Sequence, residues 1–169
     1  MRIGRQLSIV RFGVLSLLLG LPGLASAELE ISQLSYIDRG YMGQQRENLN
    51  NLAAIKLGRK FHGDRSNDLS ILQALLDQRL VREDQVQALQ AMGVIMGDLL
   101  AKELGMDWVV YEDKIGRSRA LRYQLTDNFL FPMTMISRRR TVGDTTPIND
   151  VYQKAYDIIA PLRQPLPFQ

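Results

Sequence analysis

Met106-Asp-Trp-Val-Val-Tyr-Glu-Asp-Lys-Ile-Gly-Arg-Ser-Arg-Ala-Leu-Arg-Tyr123 is the stretch that decides the fold class of this 169-residue chain. Its first half alternates as a strand does: Trp108, Val110 and Glu112 fall on one face, Val109, Tyr111 and Asp113 on the other. Asp113-Lys114-Ile115-Gly116 supplies turn chemistry, with a glycine able to take positive φ. The return strand, about Ser118 to Leu125, places Leu121, Tyr123 and Leu125 inward and Ala120, Arg122 and Gln124 outward. Both faces of the first strand are apolar in the middle, so it is expected to be central and covered on at least one side.

Working outward, the flanking segments read as helices. On the N-terminal side, Leu34, Ile37, Tyr41, Leu49, Leu52, Ala53 and Ile55 recur at helical steps between Ser32 and Leu57, with Gly40 and Gly43 weakening the first half and Gly58 as C-cap. A second helix is expected to open on Ser66 or Asn67, with Asp68 in its first turn and Leu69, Leu72, Leu75, Leu76 and Leu80 as its buried stripe. A third runs from about Glu83 to Leu104. It carries Gly93 and Gly97 four apart on one face, each costing about 1 kcal/mol relative to Ala in a helix interior. That cost implies a close contact, because a missing Cβ lets another backbone approach.

Beyond the hairpin, Phe129 to Ile136 fits a third strand, with Pro132 at an edge or break; a short helix is the alternative. Thr146 as N-cap and Pro147 at the first position open a last helix, in which Ile148, Val151, Ala155, Ile158 and Ile159 form the buried side. Pro161 stops it, and residues 161–169 form a Pro-rich tail. The sum is α+β: N-terminal helices and one C-terminal helix packed on a small antiparallel sheet of about three strands.

Residues 1–27 read as a secretory signal peptide. Arg2, Arg5 and Arg11 precede the apolar run Phe12–Leu24, and Ala25-Ser26-Ala27 offers small residues for cleavage before Glu28. The run is shorter than the roughly 20 residues that span a bilayer. A membrane attachment would therefore come only through an uncleaved signal, and the absence of Cys excludes a lipoprotein anchor. Periplasmic or secreted location is expected. Of 21 basic residues, three lie in the leader, leaving 18 against 18 acidic ones. The near-neutral remainder gives no support for nucleic-acid binding. Residues 28–160 are long enough for one domain with its own core, and without cysteine packing alone must stabilise it.

Several motifs now combine. Asn67-Asp68-Leu69, Leu89-Gln90-Ala91-Met92-Gly93-Val94 with Gly97, Trp108, Glu112-Asp113-x-x-Gly116-Arg117, Phe131-Pro132 and Ile136-Ser137-Arg138-Arg139 together resemble an uncharacterised bacterial family defined only as a domain of unknown function, DUF3806. The resemblance covers about Asn67 to Ile159. It implies a compact domain and brings no activity and no catalytic residues.

Chemistry is bounded by inventory. Thiol catalysis and Cys-ligated zinc have no residues to use. His62 is the single histidine and reads as a surface residue, and no Gly-x-Ser-x-Gly elbow accompanies it. No phosphate-cradling glycine motif occurs, so no cofactor is implied. Asp64, Asn67 and Asp68 lack calcium-loop spacing and read as turn and cap residues.

Carboxylates remain. Glu112 and Asp113 are neighbours on a strand and face opposite sides. Asp107 lies about 20 Å from Asp113 along that strand, whereas two-carboxylate glycoside chemistry needs roughly 5–10 Å. A second member would have to come from Asp98 or Asp127. The plainer expectation is that Glu112 and Asp113 start the turn and pair with Arg117 or Arg119. Arg138, Arg139 and Arg140, on a strand end, converge at most as Arg138 with Arg140.

The candidate binding residues are thus Trp108, Glu112, Asp113, Arg117, Arg119, Arg138, Arg139 and Arg140. The functional expectation is a non-enzymatic exported module that binds an envelope protein or cell-wall component. The alternative is a carboxylate-dependent hydrolase of cell-wall glycan or peptide.

Overall fold

The hairpin stretch forms two paired strands in the computed structural model of the protein, which describes residues 29–163. Chain order is β1 (Glu30–Gln33), α1 (Tyr36–Leu57), α2 (Arg65–Asp77), α3 (Val86–Leu104), β2 (Met106–Asp113), β3 (Gly116–Tyr123), β4 (Phe129–Leu130), α4 (Pro132–Thr141) and α5 (Ile148–Ile159), ending in a short 3-10 turn. The signal segment, its cleavage point and the tail beyond Arg163 lie outside the described residues.

The sheet is antiparallel in the order β1-β2-β3-β4. It therefore has one strand more than expected, because Glu30–Gln33 is too short to show a period. β2 is central, pairing Glu112 with Arg117 on one side and with Glu30 on the other. Residues directly opposite share a face. Met106, Trp108, Val110, Leu121, Tyr123 and Leu130 consequently face inward together, and five of these six belong to or pack against the main core of the helices. The exception, Val110, is buried as well. The α+β reading stands, with the helices on the inward face.

α3 is the centre of the core. Met92, Val94, Met96 and Leu100 are fully buried, and the helix packs on α1, α2, α4, α5 and the sheet. Its two glycines make the close approaches that their spacing implied. A Cβ on Gly93 would run into the Pro132 carbonyl oxygen and lie 2.7 Å from Met133 Cα. One on Gly97 would enter the Trp108 ring, 2.8 Å from Cη2.

Several local expectations are corrected. Pro132 does not break a strand but occupies the first position of α4, where its missing N–H costs nothing; the strand ends after Leu130. α1 starts at Tyr36 because Ser35 and Asp38 form a reciprocal capping box. Its buried stripe is Asp38, Met42, Gln45, Leu49 and Ala53, leaving Ile37 and Ile55 exposed. A stripe with two polar members is not what hydrophobic periodicity selects. Asp64, not Ser66 or Asn67, caps α2, which stops at Asp77 before Leu80. α3 begins at Val86, three residues later than expected. Pairing of β3 ends at Tyr123, since Gln124 takes φ 51° and Leu125 is thrown into a turn, 89 % exposed. Ile158 is exposed as well, and Pro147, not Thr146, is the cap of α5.

Gly93→Ala is expected to destabilise by about 1–3 kcal/mol, since overpacking against backbone outweighs the gain in helix propensity. Gly43→Ala, with nothing within 4 Å of its Cβ, is expected to stabilise by roughly 0.5–1 kcal/mol. Urea unfolding of the two variants measures both signs.

Candidate functional site

Two carboxylates tie the hairpin to the helices: Asp38, which the sequence did not single out, and Asp98, considered above only as a second acid for Glu112 or Asp113. Asp38, 1 % exposed at the start of α1, accepts from Arg117 Nη1 at 3.0 Å and Nη2 at 2.6 Å. It also accepts from Arg119 Nε at 2.9 Å and from the Ser35 hydroxyl and backbone N–H at 2.6 and 3.1 Å. Arg119 in turn lies over the Tyr41 ring, 4.4 Å from its centre. These donors, Arg117 first, outweigh desolvation and hold the Asp38 carboxyl far below the usual carboxylate range.

Asp98 on α3 is the second hub. Arg46 of α1 grips it with two nitrogens at 2.6 and 2.8 Å, and the Trp108 indole N–H donates at 3.0 Å. Trp108 therefore joins sheet to helix by packing on Gly97 and bonding Asp98. Arg46 is held protonated even more firmly than usual, chiefly by the Asp98 hydrogen bonds.

Glu112 and Asp113 do not take the arginines across the hairpin. Arg117 sits opposite Glu112 in register, but its guanidinium turns to Asp38, which is buried and offers two oxygens to a fork-shaped donor. Asp113 accepts from the Ile115 and Gly116 N–H groups at 2.8 and 3.1 Å and so shapes the turn. Glu112 is exposed.

The arginine run lies in the last turn of α4 and not on a strand end, where cations suit the helix dipole. Successive helical residues diverge, so the three do not converge. Arg140 is buried and donates to the Thr146 carbonyl at 3.1 Å. Arg139 donates to the Met135 carbonyl at 2.6 Å and lies 3.7 Å from Asp144. Arg138 is exposed. The oxygens of Asp64 and Asp68 are likewise engaged: Asp64 by Asn67 N–H at 2.7 Å, Asp68 by the His62 and Gly63 N–H groups at 3.2 and 2.9 Å.

With its charges accounted for, the hairpin's distinctive surface is its outward face. Ile31, Val109, Tyr111, Arg122 and Phe129 lie there half-buried, and none of them belongs to a core cluster. Tyr111 packs edge-on against Phe129 and Phe131, ring centres 5.1 and 5.2 Å apart. Arg122 lies 5.6 Å from the Phe129 ring centre, and Ala120 is fully buried. Asp107, Ser118 and Gln33 are exposed on the same face. The sequence offered one signal for this cluster: Tyr111 on the outward parity, unneeded by the core. Phe129 and Phe131 join it only once β4 is placed beside β3.

A four-stranded antiparallel sheet backed by five helices, with an aromatic outward face, defines a two-layer α+β domain. The sequence model of a family described as "Domain of unknown function (DUF3806)" matches residues 68–152, and the chain belongs to this family. A crystal structure of a protein from Bacteroides thetaiotaomicron VPI-5482, determined at 1.50 Å, shares the fold with a TM-score of 0.72 at 20 % identity. The match covers 81 % of this chain and 50 % of that one, so this chain spans about half the length of that protein. No curated protein matches the sequence.

Asp38→Asn is expected to cost about 2–4 kcal/mol, because it removes a buried charge on which the exposed Arg117 and the half-buried Arg119 both close. The folded-state pKa of Asp38 is depressed, so its contribution is fully present above the ordinary carboxylate value of 3.8. It is lost as pH falls from there through the folded value. Thermal unfolding between about pH 7 and 2 is therefore expected to show an acid loss of stability that is smaller in the variant.

Proposed function

We propose that this chain is an exported domain of the bacterial envelope that acts by binding a protein partner on the outward face of its sheet. The observation that carries the reading is the Tyr111–Phe129–Phe131 cluster with Arg122 beside it. Aromatic residues and arginine at the centre with a polar rim are the composition of protein interfaces. The rings stand nearly perpendicular to Tyr111, at 73° and 85°. That arrangement offers no broad flat platform for stacking a sugar and suits interdigitation with side chains. Export rests on the basic, apolar and small-residue order of residues 1–27.

A hydrolase built on Glu112 and Asp113 finds no such support. One is exposed on a strand end, the other is engaged by turn N–H groups, and neither lines a cleft among the larger ones of the described residues.

Photo-crosslinking from position 109 in envelope extract is expected to capture one protein. Phe129→Asp is expected to weaken that complex about 30-fold, the effect of losing an interface residue contributing roughly 2 kcal/mol. A complex indifferent to Phe129→Asp, or turnover of an envelope substrate without any captured protein, overturns the reading. Fractionation of cells and N-terminal sequencing of the exported form are expected to read Glu28 as the first residue; full-length protein in the cytoplasm overturns the export step.

A further inference from the structure

The helical layer contains a cleft of ≈ 650 Å³ between α1, the 61–63 loop and α3. That volume is in the range of sites for small organic ligands. Phe61, Ile95 and Leu99 give it apolar walls. Its charged groups fall into two sets. Asp68 is buried and satisfied by backbone N–H groups, and Asp98 is taken by Arg46 and Trp108. Lys102 and Glu47 are different.

Lys102 Nζ donates to the Gly63 carbonyl at 2.9 Å, leaving two of its three protons for another acceptor. Neither Lys102 nor Glu47 has an oppositely charged side chain within ion-pair distance among the described residues. Arg46, which also lines the cleft, gives Nε and Nη2 to Asp98, and its Nη1 has no hydrogen-bond partner among the described residues. The cleft thus presents a cation reinforced by a guanidinium edge, a separate carboxylate, and apolar surface in one depression.

We propose that this cleft is a binding site for a small zwitterion, a short peptide with free termini. Its carboxylate would be held by Lys102 and Arg46, its ammonium by Glu47, and its side chains by Phe61, Ile95 and Leu99. A simple anion would leave Glu47 repelling it, and a simple cation would meet Lys102. This site is separate from the outward sheet face and does not depend on the protein partner proposed there.

The single tryptophan reports on it directly. Trp108 bonds the same Asp98 that Arg46 grips, so a ligand drawing on Arg46 alters the surroundings of the indole. Titrating the purified protein with leucyl-leucine is expected to give a saturable change in tryptophan emission. The N-acetylated and the C-amidated dipeptides are each expected to bind about tenfold more weakly, the loss of one charge-assisted contact. Lys102→Gln is expected to erase the preference for the free carboxylate over the amide. Glu47→Gln is expected to erase the preference for the free ammonium over its acetylated form. Both side chains are exposed, so melting temperatures should be unchanged, and unchanged melting ties any binding loss to the cleft.

No saturable response to about 10 mM peptide, which is weaker than specific recognition requires, overturns the proposal. So does equal binding of the free and blocked dipeptides, or binding by both variants indistinguishable from the parent. Retained discrimination at the carboxylate alone makes this an anion site and overturns the zwitterion assignment.

Discussion

The contact of α3 with Trp108 and Pro132 is the constraint from which the architecture follows. α3 can approach its neighbours to this distance only where no Cβ intervenes: Gly97 lies against Trp108 of the sheet, and Gly93 against Pro132 and Met133 at the start of α4. Once α3 sits there, the entry of α4 is fixed at Pro132, and the inward faces of β2 and β3 are sealed under Leu100, Leu104 and Met96. The helix propensity given up at the two glycines is offset by dense packing along α3, which has more buried residues than any other described helix.

Two carboxylates then lock the layers in register. Asp38 fastens the far end of the hairpin to the start of α1, and Asp98 fastens its near end to α1 and α3. Both recruit arginine in a forked geometry, which fixes orientation as well as distance. The charged residues that first made the hairpin look like an active site are therefore spent mostly on holding it in place. What is left over is less obvious chemistry: an aromatic face on one side and, among the helices, a cleft whose lysine and glutamate have no ion-pair partner among the described residues.

The parts of this legible in the sequence share one property, a local physical cause. The β2–β3 turn and Gly58 as a left-handed helix end are dictated by neighbours within a few residues, and the glycine pair at Gly93 and Gly97 shows a local cost that only a distant contact explains. The larger departures come from partners distant in sequence or from runs too short to carry a period. Nothing near Asp38 in the sequence marks it out, because its arginine partners lie some 80 positions away. β1 was invisible because four residues with one half-buried position carry no period. Arg138–Arg140 reads as a strand end because the apolar run before it is too short to distinguish strand from helix, and Pro132 can stop one or start the other. The aromatic cluster needed β4 paired with β3 before three separated rings became one surface.

β1 also has a consequence in the order of assembly. Its pairing of Glu30 with Glu112 closes a loop of about 80 residues, whereas the α3–β2–β3 unit is made of immediate sequence neighbours. Because local contacts tend to form before distant ones, the hairpin is expected to dock under α3 while the other side of β2 is still bare. In that interval Val109 to Glu112 offer unpaired N–H and C=O groups to any strand that drifts by, the situation that leads to edge-to-edge association. The short first strand is thus the closing seal of the sheet, and the solubility of the folding chain depends on how soon it arrives.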